Sequence, residues 1–192
     1  SNPTTPVAPA VVPVFTPAVL GTAASVGTIT NGTGGTTASG LASSDQTVTN
    51  QGGVVGGATL IAGANGQTGV TAELPANVSI QIAGGAAPQT PTTAITDLTS
   101  SIQSLNPASD REVGALTDFA NSRPDGTTLD VRTITPAIAT DAAPGDPIVI
   151  SGLSDAGASQ EAFVINMTNM PSGTTLQLDN IEFASILGQA TI

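Results

Sequence analysis

The sequence predicts a mainly β protein: an antiparallel β-sandwich or jelly-roll-like domain with a short helical insertion and an extended N-terminal strand. Short apolar runs rich in Val, Ile and Thr recur between turn signals such as Asn31-Gly32, Gly52-Gly53 and Asn65-Gly66, as in stacked strands. Helical spacing is confined to one stretch, residues 92–123. Pro6, Pro9, Pro13 and Pro17 interrupt the opening run "TTPVAPAVVPVFTPAVLG", which therefore can be neither a soluble nor a membrane-crossing helix.

Composition divides the chain into an extended Pro/Val-rich arm, residues 1–21, and one β-rich domain, residues 22–192. Residues 21–91 hold fifteen of the 22 glycines and only two acids, whereas residues 92–192 hold twelve acids and all three arginines. With no Trp, no Tyr and four Phe, the core must be built from small aliphatic side chains, which suit a pleated sheet.

Taken in order, "SVGTIT", "ATLIAG", "TGVTAEL" and "NVSIQIAGG" read as strands. In the last, Val78, Ile80 and Ile82 alternate with Ser79 and Gln81, the pattern of one buried face. Ile95, Leu98, Ile102 and Leu105 then recur at helical spacing until Asn106-Pro107. Ser109 and Glu112 form a capping box for a second helix whose face is Val113, Leu116, Phe119 and Ala120, ending at Arg123-Pro124. "TTLDVRTI" and "DPIVISG" resume strand character. "EAFVINMTNM" and "TTLQLDNIEFASI" read as a hairpin across "PSG". The shift of apolar phase from Leu176 and Leu178 to Ile181 and Phe183 predicts a bulge near Asn180.

Much chemistry is excluded. Without His, Cys or Lys there is no Ser-His-Asp triad, Cys-His dyad, Schiff base or usual zinc site, nor a disulfide framework. A net charge of -11 repels phosphate backbones and anionic membranes. Ser154 in "GLSDAG" lacks a base, and "GTGGTTASG" lacks the spacing and lysine of a phosphate loop. Asp110, Glu112, Asp118, Asp125 and Asp130 are the acids a glycan hydrolase could use, but the chain offers no Trp or Tyr platform. Asp125 with Asp130, or Asp141 with Asp146, could supply oxygens to calcium, at spacings matching neither an EF-hand nor a nonapeptide calcium repeat. Asn31, Asn77 and Asn166 stand in N-x-S/T acceptor patterns. No catalytic residue, metal or cofactor is expected.

The opening segment carries the functional reading. A strand residue presents its N–H and C=O to one edge, and the next residue presents them to the other. Pro9, Pro13 and Pro17 are all odd, so their missing donors fall on one edge, and the even residues from Ala8 to Ala18 keep the other intact. Val7, Val11, Phe15 and Val19 form one apolar face; Ala8, Ala10, Val12, Val14 and Leu20 form the opposite one. Such a strand has one usable edge and needs cover on both faces. The alternatives are packing on its own domain and a disordered arm.

In architecture, residues 4–21 followed by a Thr/Gly/Ala-rich β domain resemble donor-strand-type subunits of bacterial surface fibres. The chain departs from chaperone-usher pilins in lacking a cysteine pair and in its proline content. The resemblance implies a secreted, non-catalytic subunit that polymerises with itself, head to tail, at the cell surface, with Val7, Val11, Val12, Val14, Phe15, Val19 and Leu20 as the donated side chains. From the charge and the prolines, no nucleic-acid partner and no membrane insertion of the mature chain are expected. A chain starting at Ser1 without Met or a basic leading stretch reads as a mature product whose export signal was removed, or as a trimmed piece of a longer chain. The competing expectation is a secreted adhesin or binding module, sandwich or solenoid.

Overall fold

In the computed structural model, residues 27–29, 46–50, 53–61, 69–84, 88–107, 110–138, 144–152 and 160–192 are described. Their strands are β1 (Gly27–Ile29), β2 (Gln46–Asn50), β3 (Gly56–Ile61), β4 (Val70–Leu74), β5 (Val78–Ala83), β6 (Leu129–Ile138), β7 (Ile148–Ser151), β8 (Gln160–Asn166), β9 (Leu176–Asp179) and β10 (Phe183–Leu187). Two helices, α1 (Pro91–Leu105) and α2 (Asp110–Asn121), join β5 to β6. The protein is mainly β, with a six-stranded sheet ordered β1-β2-β5-β6-β8-β10 and a four-stranded sheet ordered β3-β4-β7-β9.

The helical pair falls where the apolar spacing places it. Thr90 caps α1 by accepting the Thr93 N–H at 3.4 Å, and Pro91 begins the helix, where its missing donor costs nothing. Ala94, Leu98 and Ile102 of α1 and Leu116 and Ala120 of α2 are buried, with Ile95, Leu105, Val113 and Phe119 partly buried around them. Asp110 and Glu112 stand in the first turn of α2, at the positive end of its dipole. Ser109, the expected cap, lies outside the described residues.

Both sheets are mixed, which corrects the expected antiparallel arrangement. From β6 onward the chain alternates between sheets: β6, β8 and β10 lie in one, β7 and β9 in the other. A chain that crosses to the second layer and returns re-enters the first in its original direction. Hence β6 pairs with β8, β8 with β10 and β7 with β9, all in parallel. The earlier neighbours β2 with β5, β3 with β4 and β5 with β6 are antiparallel.

The expected hairpin between β8 and β9 is corrected for the same reason. The turn itself is real: Met170 N–H donates to Met167 O at 3.0 Å, Thr174 N–H to Pro171 O at 3.2 Å, and Gly173 has φ 89. Its two arms, however, enter different sheets, because both edges of β8 are already taken by β6 and β10. The phase shift near Asn180 is not a bulge. Asn180, with φ 53, turns the chain from β9 in one sheet to β10 in the other, and Gly152 packs against its carbonyl with no room for a Cβ.

One core cluster draws from both sheets: Val48, Ile80, Ile134, Phe163 and Ile165 from one, Leu60, Val70, Leu74, Ile148, Ile150 and Leu176 from the other. A second joins the helices to the opposite face of the six-stranded sheet through Leu129, Val131, Ala162, Val164 and Leu187. β8 is thus covered on both faces and reads as a continuous apolar run from Ala162 to Ile165. Asn50, fully buried, ties the sheets together by donating from Nδ2 to Leu74 O at 2.7 Å and Val54 O at 2.8 Å.

Candidate functional site

The expected donor residues Val7, Val11, Val12, Val14, Phe15, Val19 and Leu20 lie outside the described residues, as do Asn31, Asp141, Ser154 and "GTGGTTASG". What the fold describes is the set of sheet edges such a strand could join.

β10 closes the six-stranded sheet. Met167 N–H donates to Leu187 O at 2.7 Å, which turns the backbone groups of Leu187, and by alternation those of Phe183 and Ser185, toward β8. The N–H and C=O of Ala184 and Ile186 consequently point outward. Both side chains are half-buried at the rim of the inter-sheet core, beside Ile181 and Ala190.

On its other face β10 meets α2. Phe183 stacks on Phe119 with ring centroids 5.1 Å apart, and the Arg123 guanidinium lies 4.5 Å over the Phe119 ring, a cation–π contact. Next to this anchor a groove of about 280 Å³ opens between α2 and β10, lined by Arg111, Glu112, Ala115, Phe183, Ala184, Ser185 and Ile186. Ser185 is 6% exposed and its Oγ has no hydrogen-bond partner among the described residues.

The candidate acids do not converge. Asp110, Glu112 and Asp118 ride on α2, Asp125 and Asp146 are exposed in turns, and Asp130 is buried in β6. Among the described residues no group of three or more His, Cys, Asp or Glu is placed to hold a metal. Asn77 is exposed in a tight turn at φ 63, while Asn166 is buried and its Oδ1 accepts from Thr168 N–H and Oγ1 at 3.1 and 2.6 Å.

A buried charged group not foreseen from the sequence sits where β6 and β8 begin. Asp130 and Glu161 are register partners across the parallel pair, and Arg132 follows on the same face; the three are 8%, 0% and 5% exposed. Burial lifts the Asp130 carboxyl above its ordinary pKa, partly opposed by Arg132. Burial likewise lowers the Arg132 guanidinium, partly restored by Asp130. Arg132 Nη1 donates to Val131 O at 2.7 Å, and Glu161 N–H donates to a Glu182 carboxylate oxygen at 2.8 Å. The i, i+2 spacing of Asp130 and Arg132 was the available signal. A second cavity, about 290 Å³, lies between α1 and the β5–β6 pair, where Gln89 Nε2 donates to Asp97 Oδ2 at 2.8 Å. No protein-family profile, curated protein or solved structure matches this chain.

Proposed function

We propose that this chain is a non-catalytic structural subunit that assembles head to tail into an extracellular or cell-surface filament by donating its N-terminal strand, with its two sheets packed as a sandwich. The observation that carries this reading is the segment from Val7 to Leu20, with hydrogen bonding intact on one edge and apolar side chains on both faces. At about 3.3 Å per residue it reaches roughly 45 Å, enough to cross a neighbouring domain. Strand addition of this kind draws affinity from main-chain hydrogen bonds and specificity from the alternating side chains. A head-to-tail contact whose rotation does not close produces an open filament. The charge balance and the lack of His, Cys and Lys suit a structural role at the cell surface.

Negative-stain microscopy of the purified chain beside a version lacking residues 1–20 tests this directly. Filaments from the intact chain and none from the shortened one are expected. In the full-length chain, Val14→Asp should abolish assembly, since burying an unpaired carboxylate at the interface costs several kcal/mol, on the order of the penalty for a desolvated polar group. Filaments unchanged by either alteration would rule out strand donation.

A further inference from the structure

Resting on the reading that residues 7–20 are donated, we infer that the receiving edge is the outer edge of β10 in a second copy of this chain, the incoming strand lying between α2 and the rim of the inter-sheet core.

The other sheet ends fit less well. Core-facing Ala58 and Leu60 of β3 are already 3% and 2% exposed. The β9 side is occupied at its start by the C-terminal residues, with Leu176 N–H donating to Thr191 O at 2.9 Å and Thr191 N–H to Thr174 O at 3.0 Å. β1 spans only three residues. Among the described strands β10 offers two consecutive outward-facing positions, Ala184 and Ile186, with half-covered apolar side chains, where β9 offers one, Leu178.

The chemistry of donor and edge correspond. A strand beside β10 would have α2, with Arg111, Glu112 and Ala115, on one face and Ile181 and Ala190 on the other, with Ala184 and Ile186 alongside it at the shared edge, the double cover that two apolar faces require. No charged residue occurs before Asp45, so the arm enters beside Arg111 and Glu112 without a charge to desolvate. Its backbone carbonyls supply acceptors in the neighbourhood of the buried Ser185 hydroxyl, a group costly to leave unmatched. Pro9, Pro13 and Pro17 then face away from β10 and blunt the new edge, so addition stops after one strand.

Reach assigns the arm to a neighbour rather than to its own β10. The described chain begins at β1, at the opposite end of the same sheet. Six strand spacings of about 4.8 Å separate β1 from a strand added beyond β10, roughly 29 Å. From Leu20 to Gly27 is seven residue steps, at most roughly 25 Å fully extended.

Complementation in full-length chains tests the assignment. Ile186→Lys spoils the acceptor and leaves the donor intact; Val14→Asp does the reverse. Each variant alone should run as a monomer in size-exclusion chromatography with light scattering, and an equimolar mixture should give a 1:1 dimer that grows no further. Far-UV circular dichroism matching the parent confirms that both variants fold. Because the parent has no cysteine, an Ile186→Cys chain carrying either Val14→Cys or Phe15→Cys should form disulfide-linked ladders on oxidation. Parent-like filaments from Ile186→Lys, with Val14→Asp monomeric, would overturn the β10 edge while strand donation stood. Filaments from Val14→Asp would overturn donation itself. Folded variants that give no dimer on mixing would also overturn the assignment.

Discussion

β8 and β10 are neighbours in one sheet, yet one is finished and the other is not. Along β8 every side chain from Glu161 to Asn166 is buried, and from Ala162 to Ile165 the backbone is paired on both sides. Along β10 only Ser185 and Leu187 are buried, and one edge has no partner strand among the described residues. Both carry apolar residues on both faces; among the described residues β10 lacks the next strand. A sheet edge with cover on two faces and no neighbour is an invitation to pairing that soluble proteins ordinarily suppress with charge, proline or a covering loop. Here the charges at the groove sit on α2, as Arg111 and Glu112, rather than on the strand.

The contrast can be broken first at its strongest point. Phe163→Ala, which empties the centre of the inter-sheet core from β8, should cost about 3–5 kcal/mol. A urea denaturation midpoint barely displaced would mean that the core is not closed around it. Gly188 ends β10 at φ 99, with a Cβ there meeting Thr168 N at 2.7 Å. Gly188→Ala should therefore cost about 1–3 kcal/mol through backbone strain, seen as a lowered melting temperature of the isolated subunit.

At the edge the effects shrink. Ile186→Ala should change subunit stability by no more than about 1 kcal/mol, since its side chain is only partly removed from water, against about 2–5 kcal/mol for Ile165→Ala, its register partner one strand further in. Equal losses at the two positions would show that β10 is already covered.

The smallest effect concerns the charged group at the base of these strands. The Asp130 carboxyl has its pKa raised in the folded state, mainly by burial, so the fold holds this proton more tightly than the unfolded chain does. Its contribution to stability is present at low pH and is lost as the pH rises through the folded value. Thermal melts recorded downward from pH 7 should show a gain from this residue once the pH falls below that value, and Asp130→Asn should flatten that part of the profile. A steeper acid-side gain in the variant would reverse the assignment.

Much of the local structure was legible. The periods of Val78, Ile80 and Ile82, and of Leu98, Ile102 and Leu116, placed β5 and both helices, because alternation and helical spacing record which side of one segment is dry. The shift of phase at Asn180 was equally visible, but a bulge and a change of sheet leave the same trace. That β8 pairs with β10 rather than β9, that the sheets are mixed, and that Asp130 lies opposite Glu161 were settled only in three dimensions. The physical reason is that side-chain pattern reports faces, whereas pairing is made by edges. Every residue but proline offers an edge the same N–H and C=O, so which strand lies alongside is written into the chain only where a proline removes a donor, as it does at Pro9, Pro13 and Pro17.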